Sequence, residues 1–350
     1  MNKRSTVLIL ISFLLVGVLG LLPVTAQDAT AEATATPERV DGVFPVTIVH
    51  KFGSTTITQA PKRVVAIGYT EQDLLLAVGV TPIAARYWYG DETNVIFPWA
   101  KDKVVGDNPI VLNMPFGTLN YEAILALKPD LISAVTSGIT VDEYKLLSQI
   151  APTIAQTDEY IDFGMPWQAA TQEVGDAVGK SATAAKAVAD VEALFADART
   201  QNPQFEGKTV AVTYFSAGTY GFYTSQDSRG RFFSDLGFVV PQELVDIAGT
   251  SFYANISTEQ VSLLDRDLIA ILNLQFIEGG RETLEKEPLF SKLQAVKEGR
   301  VAYFDVETEN AIGFSSPLSL PYALKSVLPQ LETIFSDKQA PEATATVQAG

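Results

Sequence analysis

The chain contains no cysteine and a single histidine, His50. The first absence excludes disulfides, iron–sulfur clusters, thiolate metal sites and cysteine nucleophiles. It also leaves no residue to carry an N-terminal lipid. The second absence excludes any cluster of histidines, and a histidine-dependent triad would have to use His50, which falls inside a hairpin pattern beside Lys51 and reads as a plain surface residue. No G-x-S-x-G elbow, Walker loop or H-E-x-x-H occurs. An enzyme is therefore not expected. Cations are also scarce: 25 Lys and Arg stand against 41 Asp and Glu, a net charge of −16. Such a surface repels nucleic acid and anionic lipid headgroups.

What is present describes an exported globular chain. The 350 residues are 47 % hydrophobic and 10 % aromatic, enough for two domains with sizeable cores. Lys3 and Arg4 precede an apolar run from Val7 to Leu22, and Val24-Thr25-Ala26 supplies small residues for cleavage. Residues 1–26 thus read as a signal peptide, with an uncleaved anchor as the alternative. Cleavage would leave 23 cations against 41 acids, a net charge of −18. Residues 27–43 and 337–350 share an Ala/Thr/Pro/Glu composition and read as a disordered spacer and tail.

The folded part carries an internal repeat. LNYEAILALKPDLISAVT (119–136) returns as ISTEQVSLLDRDLIAIL (256–272), with Glu122, Ile124, Leu127, Asp130, Leu131 and Ile132 matching Glu259, Val261, Leu264, Asp267, Leu268 and Ile269. Each copy reads as a short helix, a turn and a buried strand. RVVAIG (63–68), a helix from Thr70 to Gly79 and a strand at 81–85 make a βαβ unit. KTVAVTYF (208–215), a helix near 231–236 and GFVV (237–240) are its counterpart. The expected fold is α/β: two Rossmann-like lobes with mainly parallel sheets, at 44–165 and 203–336. The region 166–202 between them has almost no strand signal. Its part beyond Gly179, with Ser181 as the cap, predicts a bridging helix of roughly 20 residues, about 30 Å long. A stiff bridge predicts small closing movements.

Ligands of open α/β sheets sit beyond the carboxyl ends of the strands. After the strand at 81–85 comes Arg86-Tyr87-Trp88-Tyr89, and after 210–215 comes a Gly-, Ser- and Tyr-rich stretch read as a loop, with Tyr220, Tyr223 and Arg229. Arg86, Tyr87, Trp88, Tyr220, Tyr223 and Arg229 are the candidate ligand contacts of a partly apolar cleft. Trp99, Phe116, Tyr160 and Phe314 are secondary candidates, and Arg229 has the competing role of pairing with Asp227 or Asp235. Glu122 and Glu259 open matching helices, where acids favour the N-terminal dipole. Two acids at equivalent places also form a pair of negative points to which a two-fold partner with arginines could dock.

APKRVVAIG (60–68), LLLAVGVTPIAAR (74–86), NYEAILALKPDLI (120–132), PWQAATQEVGDAVG (166–179), STEQVSLLDRDLI (257–269) and LQAVKEGRVAYFD (293–305) resemble the helical-backbone (class III) substrate-binding proteins of ABC importers that capture ferric siderophores. VTIVHKFGSTTIT, IAPTIAQTDEYIDFGMPW and SQDSRGRFFSDLGF look most like actinobacterial members. The resemblance implies two α/β lobes, a bridging helix and a shallow cleft for an Fe(III)-siderophore. It also implies no intrinsic cofactor, no metal ligand from the protein, an extracytoplasmic monomer, and docking of Glu122 and Glu259 to permease arginines. The ligand-gripping arginine of some hydroxamate binders has Phe116 near its place, so the ligand's identity does not carry over. Cobalamin or haem is the alternative ligand, and a surface sensor or adhesion module the alternative role.

Overall fold

In the computed structural model the described residues are 39–336 other than 91 and 217. The expected signal segment, residues 27–38 of the spacer and the tail at 337–350 lie outside them. Residues 39–43, also read as spacer, are engaged: the Asp41 carboxylate accepts from the Ala182 and Thr183 amides at 2.9 and 3.1 Å and from the Thr183 hydroxyl.

A hairpin of β1 (Val46–His50) and β2 (Gly53–Ile57) leads in. Alternation turns His50 and Thr55 inward, so His50 is only 4 % exposed rather than on the surface. Its Nε2 lies 3.0 Å from the Thr55 hydroxyl, which donates to the Thr153 carbonyl. The first lobe's sheet follows: β3 (Val64–Ala66), β4 (Ala84–Arg86), β5 (Ile110–Leu112), β6 (Leu131–Ala134) and β7 (Thr153–Ala155). All pairs are parallel, in the order β5-β4-β3-β6-β7. Buried on both faces, these strands sort by parity. Val64, Ala66 and Leu131 join one core beneath α1 (Glu71–Ala77), while Val65, Ile67 and Ile132 join another beneath α2 (Tyr121–Ala126) and α3 (Val141–Ser148).

Two helices then cross over. α4 (Trp167–Ala177) runs back across the first core through Ala170 and Val174, and α5 (Ser181–Gln201) spans 21 residues. Ala184 near its start belongs to the first lobe's core, whereas Val191, Phe195 and Ala198 belong to the second's. One helix is thus fixed in both lobes. Gly175 permits this close packing, since a Cβ there would meet the Ala184 Cβ at 2.3 Å. The cap at its start differs from expectation: Ser181 is the first helical residue, and Asp41 satisfies the free amides from outside.

The second sheet is mixed, in the order β10-β9-β8-β11-β12. Its strands are β8 (Val210–Ser216), β9 (Thr219–Tyr223), β10 (Tyr253–Ile256), β11 (Leu268–Leu272) and β12 (Val301–Tyr303). β11 pairs in parallel with β8 and β12, but β9 is antiparallel to both β8 and β10. The stretch read as a ligand loop after β8 is therefore largely a strand. Gly221 masks it in sequence and is required in structure, because the Tyr214 ring lies where a Cβ would project. The counterpart strand expected at 237–240 reduces to a single bridge between Val239 and Thr209.

α6 (Ser228–Asp235) follows β9, and α7 (Gln242–Ala248), α8 (Gly280–Lys286) and α9 (Gln294–Lys297) contribute Leu244, Leu284 and Ala295 to the second core. α8 and α9 are divided at Pro288, which cannot donate within a helix interior. α10 (Val306–Phe314) and α11 (Ser319–Phe335) complete the chain. No helix among the described residues is long and apolar enough to cross a membrane.

Candidate functional site

Every strand of the first sheet delivers residues to one cleft. Tyr69 and Thr70 follow β3, Trp88 follows β4, Phe116 follows β5, Thr136 follows β6, and Phe163 and Met165 follow β7. The second lobe faces them with Asp227, Ser228 and Arg229 at the start of α6, Phe252 before β10, and Gly313 to Ser315 at the end of α10. The cavity between them measures about 340 Å³. It is the switch-edge crevice that parallel sheets favour, here closed by a second lobe.

Its chemistry is aromatic with one ion pair. Tyr69 lies 5.6 Å from the Trp88 ring and 6.2 Å from Phe163, which in turn lies 6.0 Å from Phe116. Phe116 is 63 % exposed at the rim. Asp227 and Arg229 are the charged lining residues among those described, and Arg229 Nε stands 3.2 Å from Asp227 Oδ1. The guanidinium is stacked 4.0 Å over the Tyr223 ring. Burial works against its charge, but Asp227 and the neighbouring tyrosines outweigh that and hold it firmly protonated. Arg229 also borders two side pockets, one with Tyr223 and Tyr253, the other with Tyr89 and Glu309. It sits where all three spaces meet.

The sequence-predicted residues divide accordingly. Trp88 and Arg229 line the cleft, and Tyr223 supports Arg229 from below. Arg86 does not reach the cleft. It is 1 % exposed beneath Tyr69, its guanidinium 4.5 Å from that ring, donating to the Met114 and Pro115 carbonyls at 2.5 and 2.7 Å. It braces the loop that presents Phe116. Tyr87 packs on the first core and donates to the Gly90 carbonyl. Tyr220 is fully buried in β9, stacked on Phe290 with its hydroxyl toward Glu287, because strand alternation turns it away from the cleft. Of the secondary candidates, Phe116 and Phe314 line the cleft, and Tyr160 borders a groove beside β1 instead.

Trp99 belongs to the seam between the lobes. Its indole donates to Asp73 at 2.7 Å and stacks on Phe97. Asp73 also accepts from the Ser316 hydroxyl at 2.7 Å, and Phe314 packs within 6 Å of Trp88, Tyr89, Phe97 and Trp99. Arg231 adds a bond from α6 to the Gly164 carbonyl. Sequence reading missed Tyr69, Thr136, Phe163 and Trp167 as lining residues. The first three follow strands, which was the available signal; Trp167 opens α4 and carried none.

Glu122 and Glu259 are exposed in the first turns of α2 and of a 3-10 helix (Thr258–Leu264), one on each lobe. Asn120 and Ser257 cap those turns, so the acids are not needed as caps. Neither forms a hydrogen bond or ion pair among the described residues.

Known proteins share this arrangement. A periplasmic solute binding protein from Mycobacterium smegmatis is 34 % identical, with a TM-score of 0.73 over 83 % of this chain and 98 % of its own. PiaA of Streptococcus pneumoniae TIGR4, solved in complex with ferrichrome, is 28 % identical with a TM-score of 0.71 over 83 % and 98 %. The Fe(3+)-citrate-binding protein YfmC of Bacillus subtilis (strain 168) is 28 % identical over 291 residues, 79 % of this chain and 82 % of YfmC. The description "periplasmic binding protein" matches residues 64–308, from the first strand of the first sheet into α10, and the chain belongs to that family.

Proposed function

We propose that the chain is the extracytoplasmic solute-binding component of an ABC importer, capturing a ferric siderophore in the cleft between its lobes. The observation that carries this is the cleft itself: a wall of Tyr69, Trp88, Phe116, Phe163, Trp167 and Phe314 around one firmly charged Arg229. A ferric chelate has the matching character, with an apolar or aromatic periphery and oxygens of negative charge at the iron. Iron would stay within its chelator. Among the described residues no group of three or more His, Asp or Glu side chains is placed to hold a metal. The likeness to proteins named for ferrichrome and ferric citrate supports the same ligand class.

Delivery would follow by docking of Glu122 and Glu259 against arginines of a permease dimer, the carrier acting as a monomer. Export by the segment at 1–26 would place it outside the cytoplasm. Fluorescence titration tests the ligand class, because Trp88 and Trp167 line the cleft. Ferric hydroxamate, ferric catecholate or ferric citrate should quench saturably, and Arg229→Gln should weaken the best of them about 10- to 100-fold. Saturable quenching by cobalamin or haem alone would replace the siderophore reading.

A further inference from the structure

The side pocket toward α10 has a character of its own. It measures about 390 Å³ and opens beside the main cleft, sharing Trp88, Arg229 and Gly313 with it. Its walls are the rings of Trp88 and Tyr89, the Asn273 and Asn310 side of the second lobe, and the carboxylate of Glu309. Glu309 is 6 % exposed. Oε1 accepts from the Leu274 amide at 3.3 Å, the Asn273 amide and the Gln275 side chain also lean on the carboxyl group, and burial still pushes it up to about 7; Oε2 has no partner within hydrogen-bond distance among the described residues. Removing a carboxylate from water without pairing it is costly, and a buried acid is ordinarily matched by a cation or a full set of donors. No lysine lines this pocket, and the ion-pair partner of Arg229 is Asp227 rather than Glu309.

We propose that this pocket is a subsite for a cationic arm of the bound chelate, an alkylammonium that lies against Trp88 and Tyr89 and donates to Glu309 Oε2. The inference rests on the chelate reading of the main cleft and deepens it. Aromatic faces attract ammonium groups through the ring quadrupole, and the carboxylate supplies the counter-charge. Arg229 lines both spaces; paired with Asp227, it attracts the negative oxygens around the iron, while Glu309 is the acid that draws a cation into the side pocket. The two sites therefore read opposite ends of one ligand: an oxygen-rich ferric head at Arg229 and an ammonium tail at Glu309. An uncharged tail of equal length would leave Oε2 buried without its partner.

The test uses the full chain with two probes: a ferric linear trihydroxamate bearing a terminal primary ammonium, and the same chelate with that amine acetylated. Wild-type protein is expected to bind the ammonium form about tenfold more tightly. Glu309→Gln, which keeps an acceptor for the Leu274 amide, should bind both at the weaker level with a Tm no lower than that of the wild type. Equal affinities in the wild type, or a preference that survives Glu309→Gln, would overturn the proposal while leaving the chelate reading intact. If neither chelate binds, hydroxamates are excluded as the ligand class, and n-pentylammonium alone judges the pocket. Saturable binding that Glu309→Gln abolishes upholds the cation site, and no binding overturns it.

Discussion

The acids buried in the first lobe set its response to pH. Glu71 is fully buried at the start of α1, where its carboxylate accepts from the Gly68 amide and, at 2.8 Å, from Thr136. Burial pushes it up to about 7 despite those bonds. Glu173 on α4 leaves Oε1 unpartnered, and burial, then the charges of Glu71 and Asp176, push it up to about 8. An unfolded chain gives up these protons near pH 4.5, whereas the folded chain holds them longer, so the folded state binds more protons in between. The stability these two acids contribute is then fully present below about 4.5 and is lost as pH rises toward 8. Glu173→Gln removes one such group and should raise stability at pH 8.5 by on the order of 1–2 kcal/mol, with little change at pH 4.5. Thermal unfolding followed by circular dichroism at both values decides it. An equal loss of Tm at each pH would mean the carboxylate has a structural partner instead.

At the scale of elements, the repeat is explained by one residue used twice. Asp130 accepts from the Lys62 and Arg63 amides at 2.8 and 2.7 Å, at the entry to β3. Asp267 accepts from the Thr209 amide and hydroxyl at 2.9 and 2.8 Å, at the entry to β8. Each acid thereby ties the strand that follows it to the neighbouring strand that begins its lobe. Asp130→Ala and Asp267→Ala should each cost about 1–3 kcal/mol of stability and leave ligand affinity unchanged. Denaturant titration of both variants, paired with a ligand titration, checks this; a loss of affinity in either would place the repeat near the site. The same pair shows what was readable in the sequence. Apolar runs such as LISAV and LIAIL carry a strong strand signal, and repetition at one offset gives the lobe plan, including a helix of the expected length between the lobes. β9 was not readable, because Gly221 inside TYGFY and Gly218 just before it gave the stretch the composition of a loop, and only the Tyr214 ring across its backbone explains Gly221. Arg86 was misplaced for a related reason. A cation after a strand looks the same in sequence whether it faces a ligand or two backbone carbonyls just beyond the neighbouring strand.

For the molecule as a whole, the lobes are joined by more than α5. Phe314 is 2 % exposed within rings contributed by the first lobe, and the Trp99–Asp73–Ser316 chain of hydrogen bonds lies beside it. Such a seam resists hinge opening, so the radius of gyration from X-ray scattering should change by less than about 1 Å when ligand saturates the cleft. Phe314→Ala should cost about 3–5 kcal/mol and enlarge that difference. A large change in the wild type would sink the stiff-seam view. The exterior carries a separate function under the docking proposal. Reversing Glu122 and Glu259 to Lys should leave ligand affinity intact and abolish uptake in cells, since both acids are exposed and have no ion-pair partner among the described residues. Uptake that survives the double reversal would reduce them to surface charge.

The position of Phe314 along the chain has one more effect. Synthesis proceeds from the N-terminus, and Phe314, Ser315 and Ser316 come late in a chain of 350 residues. Until they emerge, the cleft lacks one wall and Asp73 lacks its second donor. A nascent chain is therefore unable to close its cleft around any small molecule it meets. The vessel is completed only after nearly all of it has been made.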